Sequence, residues 1–136
     1  MWSVQHAYID GAFVPVHGTE VLQVVNPATE EVIGSVTLGN RDDARLAIAA
    51  ARRAQAAMGR TTKVERIAML GRLQEAVLAS AERLRDVTIE EYGGPWARAQ
   101  WVSQYASQSF AMAARTLEDY PLTRQAGSAT VSMEPV

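Results

Sequence analysis

The apolar residues of this chain change their spacing once, near Asn40, and that change divides it. Before Asn40 they stand in short β-prone runs between turn residues. After it they recur every three or four positions, the period of a helix face, through to Asp119. A chain written this way is expected to be an α+β fold, with strands first and helices after. We read residues 1–136 as a single segment: β-hairpins over 1–38, four α-helices over 40–119, and a C-terminal strand over 128–136.

The strands are marked by what interrupts them. Ala7–Ile9 and Ala12–Val14 flank Asp10–Gly11, a pair that accepts positive φ at both positions and so predicts a two-residue hairpin. Val21–Val25 runs into Asn26–Pro27–Ala28–Thr29, where Asn starts a turn and Pro27 cannot extend a ladder; the chain is expected to reverse and pair through Glu31–Val36. Two successive hairpins result. The tail Ser128–Glu134 alternates small or apolar with polar residues and predicts a half-exposed strand.

The helices are marked by their ends. Asn40 is the expected cap of the first, with Asp42 and Asp43 at the positive end of its dipole. Its face of Ala44, Ala47, Ile48, Ala51, Ala54 and Met58 predicts close packing against a sheet or another helix, ending at Gly59–Arg60. Thr62 and Glu65 form a capping-box pattern before Ile67, Leu70, Leu73 and Val77. Ser80 is a candidate cap for a third helix carrying Leu84, Val87 and Ile89, which Gly93–Gly94 stops. Pro95 suits the first turn of a fourth helix, striped by Ala99, Val102, Ala106, Phe110, Ala113 and Leu117, and Asp119–Tyr120–Pro121 closes it. Trp101, Tyr105 and Met112 widen that stripe enough to predict burial on two sides.

Composition closes off several kinds of chemistry. There is no cysteine among the 136 residues, hence no disulfide, thiolate metal site or cysteine nucleophile. The two histidines, His6 and His17, have no acidic cluster at ligand spacing, and we read them as surface or strand-edge residues. Thirteen basic side chains against 15 acidic ones leave no footprint for nucleic acid. No apolar run reaches the roughly 18 residues a membrane span requires, and Met1–Val4 has no basic, apolar leader pattern. A cytoplasmic setting is the expectation.

Read with their order, several pieces resemble the N-terminal region of NAD(P)-dependent aldehyde dehydrogenases. They are Tyr8–Ile9–Asp10–Gly11 with Phe13–Val14, Val25–Gly34 around Asn26–Pro27, and Ala47–Ala54; then Glu65–Leu70, Glu90–Gly93 with Pro95, and Met133–Val136. The resemblance covers essentially the whole chain. It implies the opening part of that family's α/β cofactor domain, roughly the first quarter to third of a longer enzyme. The family's oxyanion-stabilising asparagine, glutamate base and cysteine nucleophile would lie beyond Val136. It implies NAD or NADP for the full-length enzyme and none for this chain. It also implies partners: the remainder of the parent enzyme, and a homo-oligomer formed through strand 128–134. The wide apolar fourth-helix face is the other candidate surface, and charge and hydropathy lead us to expect no nucleic acid and no membrane. Gly94 departs from the lysine many members carry, and Gln55 and Met58 stand where phenylalanine and tryptophan are frequent. No Asp or Glu lies between Trp96 and Leu117, so the monovalent-cation site of some members is not carried over.

No catalytic, cofactor-binding or metal residue is assigned. Glu90 and Glu91 are adjacent on a helix, point about 100° apart and do not make an acid–base pair. Gly93–Gly94 lacks the phosphate-loop frame and is a helix stop. Arg52, Arg53, Arg60, Arg66 and Arg72, interspersed with Glu65 and Glu75, read as a solvated face. Trp96, Trp101 and Tyr105 are expected in the core or on an inter-domain surface. The alternative to an inert enzyme segment is a stand-alone helical domain that binds a protein through the fourth helix.

Overall fold

The computed structural model describes residues 1–133. Strands β1 (Trp2–Val4), β2 (His6–Ile9), β3 (Ala12–Pro15), β4 (Val21–Val25) and β5 (Val32–Thr37) precede helices α1 (Arg41–Gly59), α2 (Lys63–Ala79), α3 (Ala81–Tyr92) and α4 (Trp96–Asp119). Two further strands, β6 (Thr123–Ala126) and β7 (Ala129–Ser132), come last. The α+β order is the one expected.

Both expected hairpins form. In β2–β3, Ile9 faces Ala12 across the turn, and Asp10 and Gly11 take φ of 55° and 82°. Two positive φ values in a row match the right-handed twist of the flanking strands. One pair further on, the Tyr8 and Phe13 rings meet edge-on at 5.1 Å. In β4–β5 the reversal is built on Asn26, whose Oδ1 accepts the N–H groups of Ala28 (2.9 Å) and Thr29 (3.3 Å).

The parallel strand β1 was not expected. It lies on the free side of β5, giving the order β1-β5-β4, with Trp2 level with Gly34. The Trp2 ring covers Gly34 so closely that a Cβ there would fall 2.3 Å from it. The indole therefore occupies the place of the missing side chain, a long-range fit that local patterning does not encode.

The helical caps agree with the sequence, with two exceptions, Ser80 and Pro95. Thr62 and Glu65 form the expected capping box, and Gly93 ends α3 in the left-handed conformation at φ 71°. Ser80 precedes α3 but makes no side-chain cap bond, because its backbone (φ −100°, ψ 5°) still serves as the C-cap of α2. Pro95 sits one position before α4, where its carbonyl accepts from Arg98 and Ala99.

Packing differs more. Helix α4 lies along α2 and α3, but its buried line is Ala99, Ser103 and Ser107, flanked by half-buried Phe110, Ala114 and Leu117. Val102 and Ala113, expected in that stripe, are exposed. The two serines are tolerated because their hydroxyls donate to carbonyls of their own helix, Ser103 to Ala99 and Ser107 to Gln104, both at 2.8 Å. Helix α1 leans on β2 alone among the closer contacts, and only Asp43 and Ala50 on it are buried. Its expected tight packing is therefore not seen among the described residues. The single strand expected over 128–136 is instead the second half of a hairpin: β7 pairs antiparallel with β6 across Gly127, which has φ 63°. Residues 134–136 lie outside the described residues.

Candidate functional site

The most elaborate polar cluster among the described residues is centred on Asp43. Asn40 caps α1, its Oδ1 accepting the N–H groups of Asp42 (2.8 Å) and Asp43 (3.2 Å). Asp43 Oδ2 accepts the Asn40 N–H in return, at 2.8 Å. The same carboxylate accepts the backbone N–H of His17 at 3.0 and 3.1 Å and stands 2.6 Å from His17 Nδ1. Asp43 is buried, while the imidazole is mostly exposed.

These donors hold the Asp43 carboxyl down at about 2, from an ordinary 3.8; the Asn40 N–H contributes most, then the His17 ring, against a smaller opposing effect of burial. A carboxylate that orients imidazole through Nδ1 is one element of an acid–base relay. Here, however, both oxygens are committed to backbone N–H groups as well. The arrangement fastens the loop after β3 to the start of α1. Sequence alone sets Asp43 at a helix dipole and His17 at a surface; their union is hidden there, because 26 positions separate them. The Asn40–Asp43 spacing is the one local signal, and it points to the reciprocal cap.

The other candidates separate. Glu90 and Glu91 are both exposed on α3. Arg53 pairs with Asp10 at 2.8 Å, while Arg66 bonds Thr61 Oγ1 and the Met58 carbonyl, so these two guanidinium groups are held by separate partners. Trp96, Trp101 and Tyr105 are not core residues: they are 62%, 55% and 44% exposed. Trp101 and Tyr105 stack at 5.0 Å, one helical turn apart, and the Arg85 guanidinium lies 5.9 Å from the Trp96 ring. Arg85 also bonds Asp86 and Gln100, and the Asp86 carboxylate raises its pKa further. Among the described residues, no three His, Cys, Asp or Glu side chains gather as metal ligands. No described helix is long and apolar enough to cross a membrane.

The strand–helix order, the Asp-Gly and Asn-Pro turns and the glycine stop after α3 define one portion of a known α/β class. The family profile "Aldehyde dehydrogenase family" matches residues 13–136, and the chain belongs to that family. It is 33% identical over 130 residues to 3-succinoylsemialdehyde-pyridine dehydrogenase of Pseudomonas sp., covering 94% of this chain and 27% of that protein. It is 41% identical over 91 residues to lactaldehyde dehydrogenase of Escherichia coli, covering 66% of this chain and 19% of the relative. Among solved structures, aldehyde dehydrogenase C of Pseudomonas syringae, in complex with NAD+ and octanal, superposes with a TM-score of 0.87 at 30% identity. That match covers 93% of this chain and 26% of the other. The chain thus spans about a quarter of the length of the relatives it matches.

Proposed function

We propose that this chain is the opening portion of an NAD(P)-dependent aldehyde dehydrogenase, and that it frames the cofactor domain without contributing catalytic residues. The observation that carries the reading is the family match over 13–136 in a chain without a cysteine. Oxidation of an aldehyde by the family route requires a thiolate to attack the carbonyl carbon. Serine hydroxyls are present, but those at Ser103 and Ser107 are buried and turned onto their own helix.

The residues present do not suit the nucleotide. A dinucleotide's pyrophosphate rests on free N–H groups at the start of a helix that comes after a strand. The helix after β5 is α1, whose first N–H groups already donate to Asn40 Oδ1 and whose first turn carries Asp42 and Asp43. A phosphate does not fit beside two carboxylates, and no step through the nucleotide is assigned to this chain. In the whole enzyme, NAD or NADP would be held by residues outside it. A cytoplasmic setting and assembly with the remainder of the enzyme belong to the same proposal.

The test is direct. The purified chain is mixed with an aldehyde panel and NAD+ or NADP+, and absorbance of the reduced nucleotide is monitored. No formation above background is expected, and no saturable NAD+ binding tighter than about 1 mM, or roughly 4 kcal/mol. Turnover, or tighter binding, would overturn the reading. The exposed Trp101–Tyr105 stack supports a second reading, a helical domain that binds a protein; retention of one partner by the wild-type chain but not by W101A/Y105A would favour it.

A further inference from the structure

Lys63 is the only lysine among the 13 basic residues of the chain. It occupies the first position of α2, half-buried, and its ammonium reaches across to the far end of α4. There Nζ donates to the carbonyl of Glu118 at 2.6 Å and to that of Tyr120 at 3.1 Å. Glu118 belongs to the last turn of α4 and Tyr120 is its C-cap. Such carbonyls have no partner within their own helix and carry its negative dipole end, so a cation is the favoured occupant. Helix α4 has no basic residue of its own in that turn.

The segment after Tyr120 gives this contact a consequence. Past Pro121 and Leu122 the chain enters the β6–β7 hairpin, all eight strand residues of which are exposed. The hairpin closes at its root, where the Met133 N–H donates to the Leu122 carbonyl at 2.8 Å. A cavity of about 290 Å³ lies at the same root, lined by Lys63, Arg66, Leu117, Leu122 and Met133 among others. The hairpin is therefore an arm gripped at its base, and Lys63 holds the Tyr120 carbonyl two residues before that base. A compact ammonium with three N–H donors can serve two carbonyls from one point.

We propose that Lys63 is a positioning residue that clasps the end of α4 and fixes the direction of the β6–β7 arm. Losing the charge frees the arm while leaving the helices in place. The clasp is a property of this chain's own geometry and is independent of any activity.

The absence of cysteine makes the test clean. Ser128→Cys at the arm's tip and Glu75→Cys on α2 accept a pair of spin labels, and the distance distribution between them is measured by pulsed dipolar spectroscopy. With Lys63 intact a single narrow distribution is expected. K63M, similar in length but uncharged, should at least double its width, and K63R should restore a narrow one. A K63M distribution as narrow as the wild type's would overturn the proposal, as would a K63R distribution as broad as that of K63M. If K63M loses its helical circular dichroism, the folded labelled chain is acylated instead, with Lys63 its only side-chain amine. Broadening on acylation would support the clasp, and no change would overturn it.

Discussion

Gly93 shows what one atom does at the end of a helix. Its φ of 71° lies in the left-handed region, and a Cβ there would come within 2.8 Å of Pro27 Cγ. Gly93→Ala is expected to cost about 1–2 kcal/mol from the backbone alone, and more from displacing the Asn-Pro turn. At buried Gly94 the nearest atom to an added Cβ is Thr88 Cγ2 at 3.5 Å, an ordinary contact, so Gly94→Ala should cost clearly less than Gly93→Ala. Urea denaturation of the two variants checks the contrast, and equal losses would show that it is wrong. Asp43 supplies a pH test at the same scale. Its carboxyl is depressed in the folded chain, so its stabilising effect is complete above the ordinary value of 3.8 and fades as pH falls towards about 2. Carbon-13 NMR of the Asp43 carboxyl should titrate near 2, and D43N should flatten stability across that acid window. A midpoint near 4 would mean that Asn40 and His17 do not hold the carboxylate in solution.

The elements divide by how far apart their determinants lie. Caps and tight turns were legible because their partners are one to three positions away: Asn40 with Asp43, Thr62 with Glu65, Asn26 with Ala28, Asp10 beside Gly11. Strand β1 was not legible, since Trp2 needs Gly34 to accept its ring. Strand β6 escaped for another reason: Thr123–Ala126 has no apolar alternation, and it is held by pairing with β7. The buried line of α4 was displaced because Ser103 and Ser107 read as polar until their hydroxyls are seen to bond within the helix. The difference between Thr62 and Ser80 is testable. Thr62 Oγ1 accepts the Glu65 N–H at 3.2 Å, and Glu65 Oε2 accepts the Thr62 N–H at 2.7 Å. The Thr62 N–H is the largest influence holding the Glu65 carboxyl below its usual value. Thr62→Ala should therefore cost about 1 kcal/mol. Ser80→Ala, which removes no cap bond, should be close to neutral by the same denaturation measurement.

At the scale of the molecule, burial is what the chain lacks. A folded monomer of 14.8 kDa ordinarily exposes about 7000 Å², whereas this chain exposes 10313 Å². Among the described residues the only buried apolar ones are Ala50 and Ala99, and no large side chain is fully enclosed. Hydrophobic content of 48% announced a core-forming chain but could not say how little of that content the chain encloses. The surplus of roughly 3300 Å² exceeds the about 1000–2500 Å² that one partner contributes to an obligate interface. Much of it is apolar: Leu46 and Ile48 on α1, Trp101 and Met112 on α4. Expressed alone, the chain should therefore self-associate and bind a hydrophobic dye such as ANS, because exposed apolar area of this extent drives association. Light scattering across a concentration series should show a mass that rises from that of the monomer, with dye fluorescence falling as association proceeds. W101S/M112S should shift the association to higher concentration without loss of helical signal, since both side chains already face solvent. A chain that stays monomeric and dye-silent at high concentration would mean that its apolar faces close on one another in solution.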